Sequence, residues 1–123
     1  MKEGAADQVF RAALQRGAAL FDAGAFFEAH EAWEERWRQS QDEGERLGLQ
    51  GLIQVTAAFH KWFVLSSPES AQRLLARGMQ KLEATVRLPG VELGELLPQL
   101  RACADAMAAG ELTREKVPRL SGE

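Results

Sequence analysis

The sequence predicts an all-α protein, a single-domain bundle of about five helices built from antiparallel helix hairpins. Apolar residues recur at helical spacing in each long segment, no segment alternates as a strand does, and short clusters rich in glycine, serine and proline separate the segments. With 123 residues, 46% of them hydrophobic and 27% charged, the chain is long enough for one hydrophobic core. We expect residues 1–110 to form the domain and residues 111–123 to form a C-terminal tail along its surface.

The first two helices are expected over residues 7–23 and 25–39. Asp7 has the side chain of an N-cap, and Gly24 is typical of the residue that follows a helix end. The spacing of Gly24 with Gly17 and Trp33 also follows much of a tetratricopeptide repeat, in which small residues lie where two helices cross. Because a stable array needs at least about three repeats and this pattern occurs once, it predicts one helix hairpin. It also favours a role in protein interaction.

The third predicted helix, residues 45–65, is expected at the centre of the bundle, because its apolar residues cover most of its circumference. The fourth begins after Ser67, a typical cap, with Pro68 in its first turn, and is expected to end near residue 88, before a Pro-Gly pair. The fifth ends near residue 109, and Pro98 marks either its start or a kink within it.

Charge and cysteine content argue against several classes of function. The formal net charge is −3, so no overall basic field attracts nucleic acid. Arg73, Arg77 and Lys81 form a basic stripe on the fourth helix, but no aromatic residues interleave it, which argues against nucleic-acid binding there. No segment has the roughly 20 nearly uncharged residues of a membrane span. Cys103 is the only cysteine, which fits a reducing compartment, so we expect a cytoplasmic protein.

The scarcity of thermolabile residues is compatible with a heat-adapted source. The chain has no asparagine and one cysteine, and its 11 arginines outnumber its 4 lysines. A GC-rich genome would give much the same bias, so the composition does not decide between a thermophile and a GC-rich mesophile.

The second predicted helix carries polar residues on its apolar face. Successive residues lie about 100° apart around a helix, which puts His30 in the middle of that face and Glu34 at its edge. A short loop makes the second and third helices antiparallel neighbours, so His30 is expected level with Gln54 and Glu34 level with Gln50. We call His30, Glu31, Glu34, Gln50 and Gln54 the polar cluster, and we expect its walls to be Phe26, Trp33 and Trp37.

Three interpretations of the polar cluster compete. It can be a buried network that fixes the register of the two helices, with each polar group satisfied by another. It can be a pocket for a small molecule or an anion between the helices. It can also support metal or acid–base chemistry, with His30 and Glu34 one helical turn apart and Glu31 or Gln54 in support.

The residues predict no specific cofactor, although a metal ion is one candidate. If a metal binds, His30 and Glu34 are the expected ligands, but two ligands at this spacing are common by chance. His60 also lies on an apolar face, yet it is about 9 Å further along the helix axis than Gln54, which argues against joint ligation with His30. Cys103 falls on the apolar side of the fifth helix, so we expect a small buried hydrophobe and not a nucleophile.

Two dense segments resemble the signature of a known family. Residues 20–37 contain Phe-Phe-Glu-Ala-His-Glu-Ala-Trp-Glu-Glu-Arg-Trp, and residues 49–55 read Leu-Gln-Gly-Leu-Ile-Gln-Val. The chain is similar to domain-of-unknown-function family 309, small helical proteins of bacteria and archaea with a Glu-x-His-Glu-x-x-Glu-x-x-Trp block followed by Gln-Gly-Leu-Ile-Gln. The resemblance implies an all-helical fold and no established activity. It places the motif on Glu28, His30, Glu31, Glu34, Trp37, Gln50 and Gln54.

We therefore expect a cytoplasmic binding or interaction protein whose polar cluster organises the groove between the second and third helices. Its partner would be a protein or a small molecule, and neither membranes nor nucleic acids are expected. A match between the basic stripe and Glu28, Glu31 and Glu35 of another copy would support a homo-oligomer. The alternative is a metal-assisted, hydrolase-like enzyme that uses His30 and Glu34, and the sequence leans against an enzyme without deciding the matter.

Overall fold

The computed structural model describes residues 2–121, with side chains from residue 7 onward. No strand forms within these residues, which confirms the predicted all-α bundle. None of the helices in this part of the chain has the length and apolar character needed to cross a membrane. The helices are α1 (Lys2–Asp22), α2 (Phe26–Gln39), α3 (Glu43–Phe63), α4 (Pro68–Glu83) and α5 (Leu93–Ala108), followed by a 3₁₀ turn, Arg114–Lys116.

The start of α1 differs from the sequence prediction. The helix begins at Lys2, so Asp7 lies within it and is not an N-cap. The Asp7 carboxylate instead accepts a hydrogen bond from Arg87, which holds the pKa of Asp7 below its usual value. At the other end of α1, Gly24 has a φ of +82°, a left-handed conformation that glycine adopts without strain and that turns the chain into α2.

The starts of α3 and α4 use different devices. Asp42 caps α3, because its Oδ1 accepts a hydrogen bond of 2.8 Å from the Glu45 N–H. Pro68 occupies the first turn of α4 as predicted, but Ser67 makes no side-chain cap hydrogen bond. A proline at this position has the backbone angle of a helix already and no N–H to satisfy, so α4 begins here without the serine cap.

The end of α4 and the start of α5 also differ from those predicted from the sequence. α4 ends at Glu83, and residues 84–92 form an irregular connection anchored by the buried side chains of Thr85 and Leu88. α5 begins before Pro98 and continues through it. Proline has no N–H, so α5 lacks one backbone hydrogen bond near its N-terminal end. The backbone hydrogen bonds of the neighbouring turns keep this segment helical.

α3 is the central helix, as its apolar circumference predicts, and it packs between α2 and α4. α3 and α4 come close together at Gly51 and Gly78. A Cβ atom on Gly51 would lie 3.0 Å from the Gly78 carbonyl oxygen, and one on Gly78 would lie 2.8 Å from the Gly51 oxygen, so glycine lets these backbones touch. The largest fully buried side chains of the core are Trp33, Phe21, Phe59, Leu14, Leu49, Leu52, Leu75, Leu82, Leu100, Met107, Val55 and Thr56.

Trp33 joins α2 to α1. Its side chain is fully buried, and its Nε1 donates a hydrogen bond of 3.0 Å to the Leu14 carbonyl oxygen. Gly17 lies directly beneath the ring, since a Cβ atom there would be 2.2 Å from Trp33 Nε1. The repeat-like spacing thus places a small residue where the indole ring of the next helix needs the space.

Residues 111–121 pack back onto the bundle, and we call them the C-terminal strap. Trp62 Nε1 donates a hydrogen bond of 3.2 Å to the carbonyl oxygen of Leu112, whose side chain is buried in the core. Further on, the N–H groups of Leu120 and Ser121 donate hydrogen bonds of 2.8 and 2.9 Å to the carboxylate of Asp22. The strap therefore connects α3 to the end of α1.

Candidate functional site

Two contacts fix how α2 and α3 lie alongside each other. At one end the ring centroids of Phe27 and His60 are 6.0 Å apart, and at the other Arg36 Nε is 2.8 Å from Glu45 Oε2. In an antiparallel helix pair, one residue number rises as the other falls along the common axis. Interpolation between these two contacts therefore predicts that residue 30 is level with residue 54, and residue 34 with residue 50. The levels that the sequence predicts for the polar cluster lie between these two contacts and stay a prediction.

Three members of the polar cluster come together on α2. One ligand atom from each of His30, Glu31 and Glu34 lies within 4.8 Å of the other two. We call these residues the α2 triad. His30 and Glu34 are half-buried and Glu31 is exposed, so the triad lies at an open edge of the helix pair and not in the core, where the helical wheel had placed His30. The three atoms are within reach of a ligand from solvent.

Two members of the polar cluster pair with residues outside it. Glu34 Oε1 accepts a hydrogen bond of 3.0 Å from Arg38 NH2, one turn later on α2. Gln54 Oε1 accepts one of 2.9 Å from Lys81 Nζ on α4. Arg38 can reach Glu34 because residues four apart lie on the same helix face. Lys81 can reach Gln54 because α4 packs closely against α3.

Hydrogen bonds between α2 and α3, which the interpretation of the polar cluster as a buried network requires, do not form within the cluster in residues 7–121. Within residues 7–121, no hydrogen bond joins His30 to Gln54 or Glu34 to Gln50. In the same residues, no side-chain hydrogen bond or ion pair involves His30, Glu31 or Gln50. Within the described side chains, the polar cluster is therefore not bonded into a network.

A different polar network bridges α2 and α3 at their connection. Glu45 receives hydrogen bonds of 2.8 Å from both Arg36 Nε and Ser40 Oγ. Arg46 NH1 donates to the carbonyl oxygens of Trp37 and Ser40 at 2.9 and 3.0 Å. This network was not predicted from the sequence. A signal for it is present, because α2 ends in a basic turn and α3 begins with an acidic one, and each charge is stabilised at that end of its helix.

The three aromatic walls predicted for the polar cluster make other contacts. Trp33 and Phe26 are buried in the core. Trp37 is half-buried beneath Arg46, whose guanidinium carbon lies 3.9 Å from the ring centroid. These rings lie on the core side of α2, whereas the α2 triad lies at its open edge. The aromatic residue on that edge is Phe27, which is 56% exposed and precedes the triad by one turn.

The α2 triad offers one imidazole nitrogen and two carboxylate oxygens. This donor set suits divalent cations such as Zn²⁺, Mn²⁺ and Fe²⁺. All three ligands approach from one helix, so coordination positions on the far side of an ion would stay open to water or a further ligand. His60 packs beside Phe27 and is not part of this group.

Clefts of the size of small-molecule sites lie away from the polar cluster. One of about 450 Å³ is bordered by Phe10, Arg36 and Leu47, and one of about 660 Å³ lies between α1 and α2 beside Val9 and Ala32. The polar cluster itself lies along an open helix face. A ligand there would be held by polar and metal contacts more than by enclosure.

Cys103 behaves as the sequence predicts. Its side chain is 1% exposed, and its Sγ lies 3.4 Å from the Lys116 carbonyl oxygen of the C-terminal strap. Burial raises the pKa of the Cys103 thiol to about 11. A thiol held neutral in this way is a poor nucleophile at neutral pH.

A family model matches the part of the chain that contains the polar cluster. The family is described as "Domain of unknown function (DUF309)", and the match covers residues 14–74. These residues, about half of the chain, include the second half of α1, all of α2 and α3, and the first turns of α4. No curated protein matches the sequence.

Proposed function

This chain belongs to the DUF309 family through residues 14–74, and we propose that it is a binding domain that holds a divalent metal ion in the α2 triad. The convergence of His30, Glu31 and Glu34 within 4.8 Å on an open helix edge carries the proposal. A small molecule or a segment of a partner protein would bind with the ion, along the face that α2 shares with α3.

The hydrogen bonds between α2 and α3 support a site over a structural network. A cluster that held the two helices together would need mutual bonds, because a buried polar group without a partner costs about 1–3 kcal/mol. The Arg36–Glu45 pair and the bonds of Arg46 already join the helices near their connection. The side chains of His30 and Glu31 make no such bond in residues 7–121, which leaves their ligand atoms for another group.

The local charge also supports a cation site. Glu31 and Glu34 bring two negative charges within one turn of α2, and like charges this close repel each other. Glu34 has an ion-pair partner in Arg38, but the Arg38 side chain is 62% exposed, and an exposed pair of this kind contributes at most about 1 kcal/mol. A divalent cation between the two carboxylates would neutralise both.

Phe27 supports a ligand that reaches beyond the metal. Its ring is 56% exposed at the end of the triad, and the neighbouring ring of His60 lies 6.0 Å away. Exposed aromatic side chains beside polar groups are enriched at binding surfaces. The same face therefore offers a cation site and an apolar contact one helical turn apart.

Calorimetric titration of tag-free protein with Mn²⁺ and Zn²⁺ tests the proposal. We expect one ion per chain, and His30→Ala should weaken binding by at least the roughly 10–100-fold that loss of an outer-shell partner causes. His60→Ala is the matched control, because it removes the other imidazole of the chain and should bind as the wild type does. Folded wild-type protein that binds neither ion, or an equal loss in both variants, would refute the proposal.

The open coordination positions favour a second candidate, a metal-assisted hydrolase-like activity. An ion held by His30 and Glu34 would lower the pKa of a bound water and make it a nucleophile. The test is hydrolysis of p-nitrophenyl phosphate and p-nitrophenyl acetate by the Mn²⁺-loaded protein. Turnover lost in His30→Ala and kept in His60→Ala would support an enzyme, and equal background rates in all three proteins would leave the binding function alone.

A further inference from the structure

We infer that two copies of this chain form a two-fold symmetric dimer, in which Glu28, Glu31 and Glu35 of each copy meet the basic stripe of the other. We call these three glutamates the acidic stripe. Charge alone suggests this match in the sequence, and the structure adds where the two stripes lie. The inference goes beyond the proposed function and does not rest on a metal ion.

The acidic stripe has no ion-pair partner in the described part of its own chain. Its members are spaced by three and four residues, so they share one face of α2, and all three are exposed. None of them forms an ion pair or a side-chain hydrogen bond within residues 7–121. Like charges this close on one helix repel each other, so cationic groups from outside would stabilise them.

The basic stripe on α4 has no carboxylate partner either. Arg73 and Arg77 are exposed. The half-buried Lys81 donates a hydrogen bond of 2.9 Å to the neutral amide oxygen of Gln54, which leaves two of its three N–H donors for other acceptors. Among the described side chains, no carboxylate forms an ion pair with any member of the basic stripe. The chain therefore carries two unbalanced stripes of opposite charge.

α3 separates the two stripes, because it packs between α2 and α4. Adjacent helix axes lie about 8–10 Å apart, so the axes of α2 and α4 are roughly 16–20 Å apart. Exposed charges separated by more than the Debye length, about 8 Å at physiological ionic strength, are largely screened from each other. The two stripes of one chain therefore do not neutralise each other.

Both stripes begin at the same end of the bundle and run in the same direction. α2 is antiparallel to α3, and Phe27 near its start contacts His60 near the end of α3. α4 is antiparallel to α3 as well, since only residues 64–67 connect these two packed helices. α2 and α4 therefore run parallel on either side of α3. The acidic stripe lies within the first ten residues of α2, and Arg73 and Arg77 lie within the first ten of α4.

A two-fold axis parallel to α3 brings the stripes of two copies together. Rotation by a half-turn about this axis exchanges the sides of α2 and α4, so α2 of each copy lies on α4 of the other. Because the axis is parallel to the helices, the helices keep their direction, and each acidic stripe meets a basic stripe that runs alongside it. All four stripes are then neutralised in one closed, isologous arrangement, the commonest kind of oligomer.

The surface between the stripes fits the middle of such an interface. Between residues 48 and 59 of α3, the positions that are not buried are Gln50, Gln54 and Ala57. All three are uncharged, and their spacing by four and three residues puts them on one stripe of the helix. Lys61 follows in the last turn of α3. Protein interfaces are depleted of charge at the centre and polar at the rim, and this face has the same distribution.

Each charged stripe also has an apolar side chain beside it. Phe27 is 56% exposed and lies one turn before Glu31, and the half-buried Leu74 lies between Arg73 and Arg77 in the sequence. The two-fold arrangement brings Phe27 of each copy to the end of α4 at which Leu74 of the other lies. Exposed aromatic residues are enriched at interfaces, so this contact would add apolar burial to the charge pairing.

Sedimentation velocity of the full chain in the presence of EDTA tests the inference. EDTA is included because Glu31 also belongs to the α2 triad, so that a bound ion would remove part of the attraction. We expect a monomer–dimer equilibrium at about 0.05 M salt, with a dissociation constant that rises at least about tenfold at about 0.5 M salt, since salt screens exposed charges. The result does not depend on whether the α2 triad binds a metal ion.

Charge reversal identifies the two surfaces. Arg73→Glu/Arg77→Glu turns attraction into repulsion, so this variant should be monomeric, and Glu28→Arg/Glu31→Arg should be monomeric for the same reason. An equimolar mixture of the two variants should form a dimer again, because the reversed stripe of each protein then meets a stripe of opposite charge on the other. Native mass spectrometry identifies the mixed dimer, since the two variants differ in mass.

Arg11→Glu/Arg16→Glu is the matched control. It changes the net charge by the same amount as the reversal on α4, but both side chains are exposed on α1, outside the interface. Its dimer should dissociate within about threefold of the wild-type constant, because distant exposed charges are screened. Circular dichroism confirms that each variant is folded, and the association of the wild type is measured without any of them.

A wild-type dimer that is lost in each reversed variant, restored by mixing them and kept in the α1 control supports the inference. A wild type that is monomeric at every concentration overturns it, and so does a dimer that survives both reversals. A mixture that stays monomeric, or an assembly larger than a dimer, overturns the two-fold arrangement. None of these results bears on the metal-binding function, which the calorimetric titration tests separately.

Discussion

The indole nitrogen of Trp33 lies 3.0 Å from the Leu14 carbonyl oxygen, and the ring occupies the space that a side chain on Gly17 would need. The indole is fully buried, so neighbouring side chains prevent it from moving aside. One hydrogen bond and one glycine thus determine how closely α1 and α2 pack.

Gly17→Ala should destabilise the protein strongly. The added Cβ atom would lie 2.2 Å from Trp33 Nε1, so we expect the free energy of unfolding to fall by about 1–3 kcal/mol or more, as in other overpacked cores. Urea denaturation measures the change. Gly94→Ala in the first turn of α5 is the control, since a Cβ atom there meets nothing within 4 Å and the variant should be at least as stable as the wild type. Equal midpoints for the two variants would contradict this account of the α1–α2 contact.

His30→Ala and Glu34→Gln should leave stability nearly unchanged. Both side chains lie at an open edge, and the only bond that either makes in residues 7–121 is that of Glu34 to exposed Arg38. We expect changes within about 0.5 kcal/mol, whereas loss from a buried network would cost about 1–3 kcal/mol. Thermal and urea unfolding of each variant provide the measurement. A cooperative transition shifted by the larger amount would restore the structural interpretation of the polar cluster.

Asp22→Ala should release the end of the C-terminal strap. The Asp22 side chain is 6% exposed and accepts hydrogen bonds from the N–H groups of Leu120 and Ser121. Without the carboxylate these two amides should exchange hydrogen with solvent much faster, and we expect stability to fall by about 1–3 kcal/mol. Amide exchange followed by NMR or mass spectrometry shows the effect, with the amides of α3 as internal reference. Unchanged protection at residues 120 and 121 would show that the carboxylate does not hold them.

Cys103 should react slowly with thiol reagents in the folded protein and make stability fall at alkaline pH. Burial raises its pKa to about 11, so the folded state retains the thiol proton that the unfolded chain loses near pH 9. The stabilisation is therefore complete below about pH 9 and is lost as the pH rises toward 11. Ellman's reagent at pH 8, with and without denaturant, and urea unfolding of wild type and Cys103→Ala across pH 8–11 measure both effects. Native labelling as fast as in denaturant would rule out burial of the thiol.

Helix periodicity and loop length predicted the parts of the site that depend on one hairpin. The apolar circumference of residues 45–65 identified the central helix, and the short connection at residue 42 predicted that α2 and α3 are neighbours. These inferences need only the geometry of two consecutive helices. His30 is half-buried and not part of the core, because a wheel does not say which part of an apolar face a neighbouring helix covers.

Contacts that involve distant parts of the chain could not be predicted in this way. The bond between Gln54 and Lys81 depends on how closely α4 approaches α3, and that distance is set by Gly51 and Gly78 together. The strap likewise depends on Asp22, which lies 98 residues before Leu120 in sequence. A local sequence pattern does not encode such distances, so the sequence identified Gln54 but neither its hydrogen-bond partner Lys81 nor the contact between Asp22 and the strap.

The hydrogen bond from Trp62 to Leu112 gives the protein an intrinsic optical reporter of strap docking. Trp33 is hydrogen-bonded to α1 and Trp37 lies beneath Arg46 of α3, whereas Trp62 is hydrogen-bonded to the strap. With a Trp62→Phe variant as the reference, stopped-flow fluorescence of the wild type would isolate the Trp62 signal and time the arrival of the strap during refolding. Because closing a loop of this length is slower than forming a helix hairpin, that signal should lag the recovery of helical circular dichroism.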